Sequence, residues 1–162
     1  MGNFMRHLYR AILSTVVLGF AAPAFALTAS QVVEKEIVVI NDDGSEVTRR
    51  APADTVVPGE RIVYTLNYLN DKSEAANDLV LTMPVPGEVK FMEGSADNTA
   101  SVVTYSADGG QSFAPRQALT VQTDEGQWVP AGAEDVTHVR WLVAGPLNAG
   151  ERGQLVFKGV LK

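Results

Sequence analysis

Residues 60–70 read ERIVYTLNYLN. Ile62, Tyr64, Leu66 and Tyr68 fall on one parity, and Val63, Thr65, Asn67 and Leu69 on the other. Side chains along a strand point alternately to the two faces of a sheet, so this repeat predicts a half-buried strand with its aromatic row inward. A helix would instead show apolar residues at i, i+3, i+4 and i+7, and no window of eleven or more residues after position 27 does so.

The same reading extends in both directions. Upstream, Ser30–Ile40 (SQVVEKEIVVI) is rich in β-branched residues. It runs into Asn41-Asp42-Asp43-Gly44, a strong turn signal, and Ser45–Arg50 then reads as the return leg of a hairpin. Pro52 and Pro58-Gly59 bracket a loop. Downstream, Leu79, Leu81 and Met83 share a face until Pro84 and Pro86 end the strand. Glu88–Met92 reads as a short edge strand, and Ser101–Tyr105, Ala118–Thr123, Thr137–Ala144 and Gln154–Lys158 as further strands. Trp128 falls in a loop, EGQWVPAG. Seven to nine short strands at this spacing predict an all-β fold, an antiparallel β-sandwich, with a small barrel as the competing architecture.

The first 26 residues have a different character. Arg6 and Arg10 precede an apolar run from Ala11 to Ala22, Pro23 breaks it, and Ala24-Phe25-Ala26 places small residues at the positions a signal peptidase reads. The expectation is a signal peptide over 1–26, cut between Ala26 and Leu27, and a chain delivered to the periplasm or secreted. Removing Arg6 and Arg10 leaves 11 of the 13 basic residues against all 19 acidic ones, a net charge of −8 over residues 27–162. An acidic chain with no basic cluster is a poor ligand for nucleic acid or anionic lipid. With no cysteine there is no lipoprotein anchor, no disulfide, no thiol nucleophile and no thiolate metal site. No apolar run after residue 27 is long enough for stable membrane insertion.

Few residues suggest chemistry. His138 is the one histidine outside the leader, and it falls on the polar face of a strand, where it is expected to be solvated. The Asn41–Gly44 carboxylates lack the alternate-position spacing of a calcium loop. Ser106-Ala-Asp108-Gly-Gly110-Gln-Ser112-Phe113 fits the Ser-x-Asp-x-Gly-x-Ser-aromatic "Asp box" met in sialidases. Those enzymes repeat it around a propeller, which needs about 40–45 residues per blade and at least four blades. The 136 residues from Leu27 onward cannot supply that. A folding element is expected instead. Asp108 accepts amide bonds within its own turn, Gly109 and Gly110 adopt positive φ, Ser106 opens the turn, and Phe113 buries its ring to fix the hairpin. Trp128 is either a lid over one end of the core or a contact for a partner.

Several segments together resemble a known family. Pro58-Gly59-Glu60-Arg61-Ile62-Val63-Tyr64-Thr65-Leu66, Asn77–Pro86, Phe91–Ser95, Val103–Phe113, His138–Leu142 and Leu147–Phe157 are similar, in this order, to the segments of the bacterial conserved-repeat domain, domain of unknown function 11. An acidic residue usual after its second strand is absent at Thr82-Met83-Pro84, and one copy stands where many members carry tandem repeats. The resemblance covers residues 55–162, with residues 27–54 as an N-terminal hairpin. It implies an immunoglobulin-like sandwich in an exported bacterial protein, with no catalytic residue, cofactor or substrate; no metal site is expected either. The function expected is structural or protein-binding in the cell envelope. Sugar binding on Trp128 or Tyr105 is the alternative, so the partner is an unknown protein or glycan.

Overall fold

A computed structural model describes residues 27–96, 99 and 101–162. The proposed leader, Ala26 included, lies outside the described residues. Leu27 lies within them and packs against the core.

The chain is an antiparallel β-sandwich. A five-stranded sheet has the order β2 (Glu46–Pro52), β1 (Thr28–Ile40), β3 (Arg61–Leu69), β10 (Arg152–Leu161), β5 (Val89–Phe91). A three-stranded sheet has the order β4 (Val80–Pro84), β9 (His138–Val143), β6 (Ser101–Ser106). A separate two-stranded hairpin joins β7 (Thr120–Gln122) to β8 (Trp128–Pro130). The described residues thus hold ten strands rather than seven to nine. The tenth arises because Trp128, read as a loop residue, is in β8. A single 3₁₀ turn, Arg116–Ala118, is present among the described residues.

The core fills the space between the two large sheets. Ile62, Tyr64 and Tyr68 enter it from β3, and Leu155 and Phe157 from β10. Val139, Trp141 and Val143 of β9, Met83 of β4 and Tyr105 of β6 meet them. Tyr64 and Phe157 are directly opposite in register, and their rings stack at 4.8 Å. Phe91 meets Tyr105 edge-on across the two sheets at 5.5 Å, a geometry that suits the aromatic quadrupoles.

The central strand corrects one expectation. The Val63–Thr65 face of β3 was expected to face water, yet Val63 is 0% exposed and Thr65 is buried too. On that face Lys158 of β10 and Glu36 of β1, whose strands flank β3 on either side, join over it at 2.5 Å. Arg61 adds a second pairing to Glu36 at 3.8 Å, and Arg50 reaches Glu34 at 3.7 Å. The aliphatic stems of these charged residues shelter the strand beneath, and Glu36 itself is largely covered while Arg61 stays exposed.

β1 divides its length between two neighbours. Thr28–Lys35 pair with β3, and Glu34–Ile40 pair with β2. Residues 36–40 and their β2 partners therefore run past the end of β3 as a two-stranded arm. The Asn41–Ser45 turn closes it as the sequence suggests. Gly44 takes φ +81°, Gly44 N–H bonds Asn41 C=O, and Asp43 accepts the Ser45 amide at 2.9 Å and the Ser45 hydroxyl at 2.6 Å. That carboxylate is held below its ordinary pKa by the Ser45 hydroxyl first and the Ser45 amide second.

Candidate interaction surfaces

The Asp-box segment leaves β6 and folds back over the outer face of the three-stranded sheet. Ser106 is the last residue of β6, and its side chain is fully buried. Its hydroxyl donates to Asp108 Oδ1 at 2.7 Å and accepts the Gly110 amide at 2.9 Å. Asp108 also accepts the amides of Gln111 and Ser112 at 3.0 Å and the Ser112 hydroxyl at 2.5 Å. The Ser106 hydroxyl, then the Ser112 hydroxyl and amide, hold the Asp108 carboxyl far below the usual carboxylate range. Gly109 (φ +76°) donates to Thr137 Oγ1 at 3.1 Å, and Thr137 is tied to the Ser106 carbonyl. Ser106 and Ser112 thus bond Asp108 through their side chains, Gly110 and Gln111 join them through backbone amides, and the Gly109 amide reaches Thr137. The arrangement serves a turn.

Two neighbours differ from expectation. Phe113 does not enter the core. It is half-buried on the outer face, with the Arg140 guanidinium lying over its ring 3.3 Å from the centroid. His138 is not simply solvated. Gly110 sits so close to its ring that a β-carbon there would stand 3.3 Å away, and its Nδ1 lies 3.2 Å from Thr137 Oγ1. β9 thus presents His138 and Arg140 as the platform on which the box rests. The sequence pairs these two residues on one face of β9, but nothing local in it says that residues 106–113 return to cover them.

Trp128 is a contact candidate rather than a lid: it is 69% exposed. It lies opposite Gln122 in the β7–β8 register, so the two share a face, with Thr120 and Pro130 next along it. The opposite face carries Val121 and Val129, both half-buried, and Val121 packs against the core. The hairpin is braced by Thr123 N–H and C=O bonds to residues 126–127 and by the Gln122 amide on the Gly126 carbonyl. Its base is closed by Leu119 and Ala131, both buried and joined by a backbone bond of 2.9 Å. Tyr105, the other ring considered for sugar stacking, is buried in the core.

The β1–β2 arm is a surface that motif reading missed. Val38 (63%) and Ile40 (69%) are exposed on one face, and Val47 is exposed on the other. None of these three belongs to the core cluster. The signal was present in Ile37-Val38-Val39-Ile40: a strand apolar on both parities is either covered twice or left with bare apolar faces.

Among the described residues, no group of three or more His, Cys, Asp or Glu side chains could hold a metal ion. Among the same residues no helix is long and apolar enough to cross a membrane. No family model, curated protein or solved structure matches this chain.

Proposed function

We propose that this chain is an exported, non-enzymatic immunoglobulin-like domain of the bacterial cell envelope that holds a partner protein through the β7–β8 hairpin. The observation that carries the reading is Trp128. A large ring standing free of the core, on a braced two-stranded support, loses little freedom when a partner covers it. Tryptophan also dominates the energetic centres of protein interfaces. Two further points agree with it. The Asp-box groups are consumed within their own turn, which removes the strongest reason for expecting glycan-cleaving chemistry. Leu27, the residue that would follow the proposed cut, packs against the core. The resemblance to the conserved-repeat domain belongs to the same proposal.

Sugar binding is the second reading, favoured by Gln122 beside Trp128: an amide next to an exposed indole can bond hydroxyls while the ring stacks on a pyranose face. The two are separated by one set of measurements. A photo-crosslinking residue at Gln127 should capture one defined envelope protein, and Trp128→Ala should abolish that product while leaving the circular dichroism unchanged. A glycan array bound by the wild type and not by Trp128→Ala supports the second reading. Wild-type silence in both assays overturns both.

A further inference from the structure

Among the described residues, β2 is the outermost strand of its sheet, and its outer rim has no strand partner. Which of its backbone groups face outward follows from the hairpin. The Asn41 amide bonds the Ser45 carbonyl, so this is a hydrogen-bonded position of the β1–β2 ladder. Antiparallel ladders alternate bonded and non-bonded pairs. With the observed register, Val47, Arg49 and Ala51 direct their N–H and C=O groups at β1, and Glu46, Thr48 and Arg50 direct theirs outward.

This edge matches itself. We propose that two copies of the chain join their five-stranded sheets through β2, antiparallel about a two-fold axis at Thr48. In that register Thr48 meets the second copy's Thr48, and Glu46 meets the second copy's Arg50 twice over. Glu46, Thr48 and Arg50 are all used, giving six backbone hydrogen bonds, and only the outward Pro52 carbonyl is left over. Opposed cross-strand charges lie on one face, as pairing requires. The neighbouring registers are worse. An axis at Arg49 sets Arg49 against its copy, and an axis at Val47 sets Glu46 against Thr48 and Arg50 against Gly44. An axis between two residues would match outward groups with inward ones.

Charged residues and proline on an edge normally guard it against foreign strands. Here Pro52 lies beyond the six-bond ladder, and the charges exclude most partners while fitting one. Pairing also aligns apolar and aliphatic groups across the joined sheets. Val38 is opposite Thr48, so pairing sets Val38, Thr48 and their copies in one row across four strands. On the other face the Arg49 stem of each copy covers the other's Val47, which flanks Val39. An isolated two-stranded ribbon is marginal in water, and a four-stranded one is not. The β2 edge and the β7–β8 hairpin that carries Trp128 belong to different sheets.

The test is sedimentation equilibrium on the full chain, purified as the cell leaves it. A reversible dimer is expected, with a dissociation constant on the order of 10–100 µM, as suits a small interface. Glu46→Arg or Arg50→Glu alone should weaken it about tenfold or more by setting like charges opposite. The double variant E46R/R50E should restore it, and an equimolar mixture of the two single variants should form a heterodimer. Thr48→Pro removes an outward N–H and no internal one, so it should abolish dimerisation with circular dichroism unchanged. A wild type that stays monomeric to about 1 mM overturns the proposal. Dimerisation indifferent to both charge reversals, or not restored by the double variant and the mixture, also overturns it. So does a monomer whose β2 edge crosslinks instead to a different protein.

Discussion

Arg140 lies flat over Phe113, its guanidinium carbon 3.3 Å from the ring centroid, while its Nε donates to Thr82 Oγ1 at 3.2 Å. One side chain therefore clamps the Asp-box segment and ties it across β9 to β4. A cation over an aromatic face contributes about 0.5–2 kcal/mol, more as water is excluded. Arg140→Ala is expected to cost about 1–2 kcal/mol in urea unfolding. Arg140→Lys should recover only part of it, because an ammonium lacks the planar stacking surface. Full recovery by lysine would mean that charge alone matters.

Asp108 makes the fold sensitive to acid. Its carboxyl is held below the ordinary value, so the unfolded chain binds a proton before the folded one does as pH falls. The stabilisation it gives is complete above the unfolded value of about 4 and is lost as pH drops through the folded one. Asp108→Asn should lower the melting temperature at pH 7 by about 2–8 °C, as a lost cap would. It should also flatten the acid limb of the melting-temperature profile. An acid limb identical to wild type would remove this role.

Thr65 is buried at the centre of the five-stranded sheet, and its hydroxyl has no hydrogen-bond partner among the described residues. A buried hydroxyl left unpaired costs about 1–3 kcal/mol. Thr65→Val keeps the shape and removes the polar atom. It is expected to raise stability by about 1 kcal/mol, measured by urea denaturation. A loss of stability would show that the hydroxyl is satisfied in solution.

Gly159 of β10 permits the close approach of β5. A β-carbon there would stand 2.2 Å from Val89 Cγ1 and 2.9 Å from the Lys90 carbonyl, and the second of these is backbone and cannot swing aside. Gly159→Ala should cost about 1–3 kcal/mol, the range for overpacking. Gly159→Ala combined with Val89→Ala should relieve only the side-chain share. Hydrogen exchange at Lys90 and Phe91 would report the detachment of β5.

Most of the sandwich was legible in the sequence because burial writes itself at period two. Tyr64, Tyr68, Val139, Trp141, Leu155 and Phe157 all point inward as their parity predicts. Turn chemistry was equally local: Gly44, Asp43, Asp108, Gly109 and Gly110 do what their residue types favour. What was not legible depends on residues far apart in the chain. Burial of Val63 rests on Lys158 meeting Glu36, 122 residues away. Phe113 stays out of the core because Arg140 offers it a face. Trp128 is exposed because its hairpin turns Val121 and Val129 toward the protein instead. No alternation pattern encodes which distant side chain will cover a given face.

β10 lies between β3 and β5, pairing Arg152 with Leu69 and Val160 with Arg61. A ribosome makes β3 long before β10. During that interval β3 has an unclosed rim, and Tyr64 lacks the ring it stacks on. Ladders between such distant segments form slowly, since a long loop must close first. The core therefore cannot close until β10 has been made. A chain ending before Arg152 is expected to be unfolded throughout, with its amides exchanging at coil rates, rather than missing one strand.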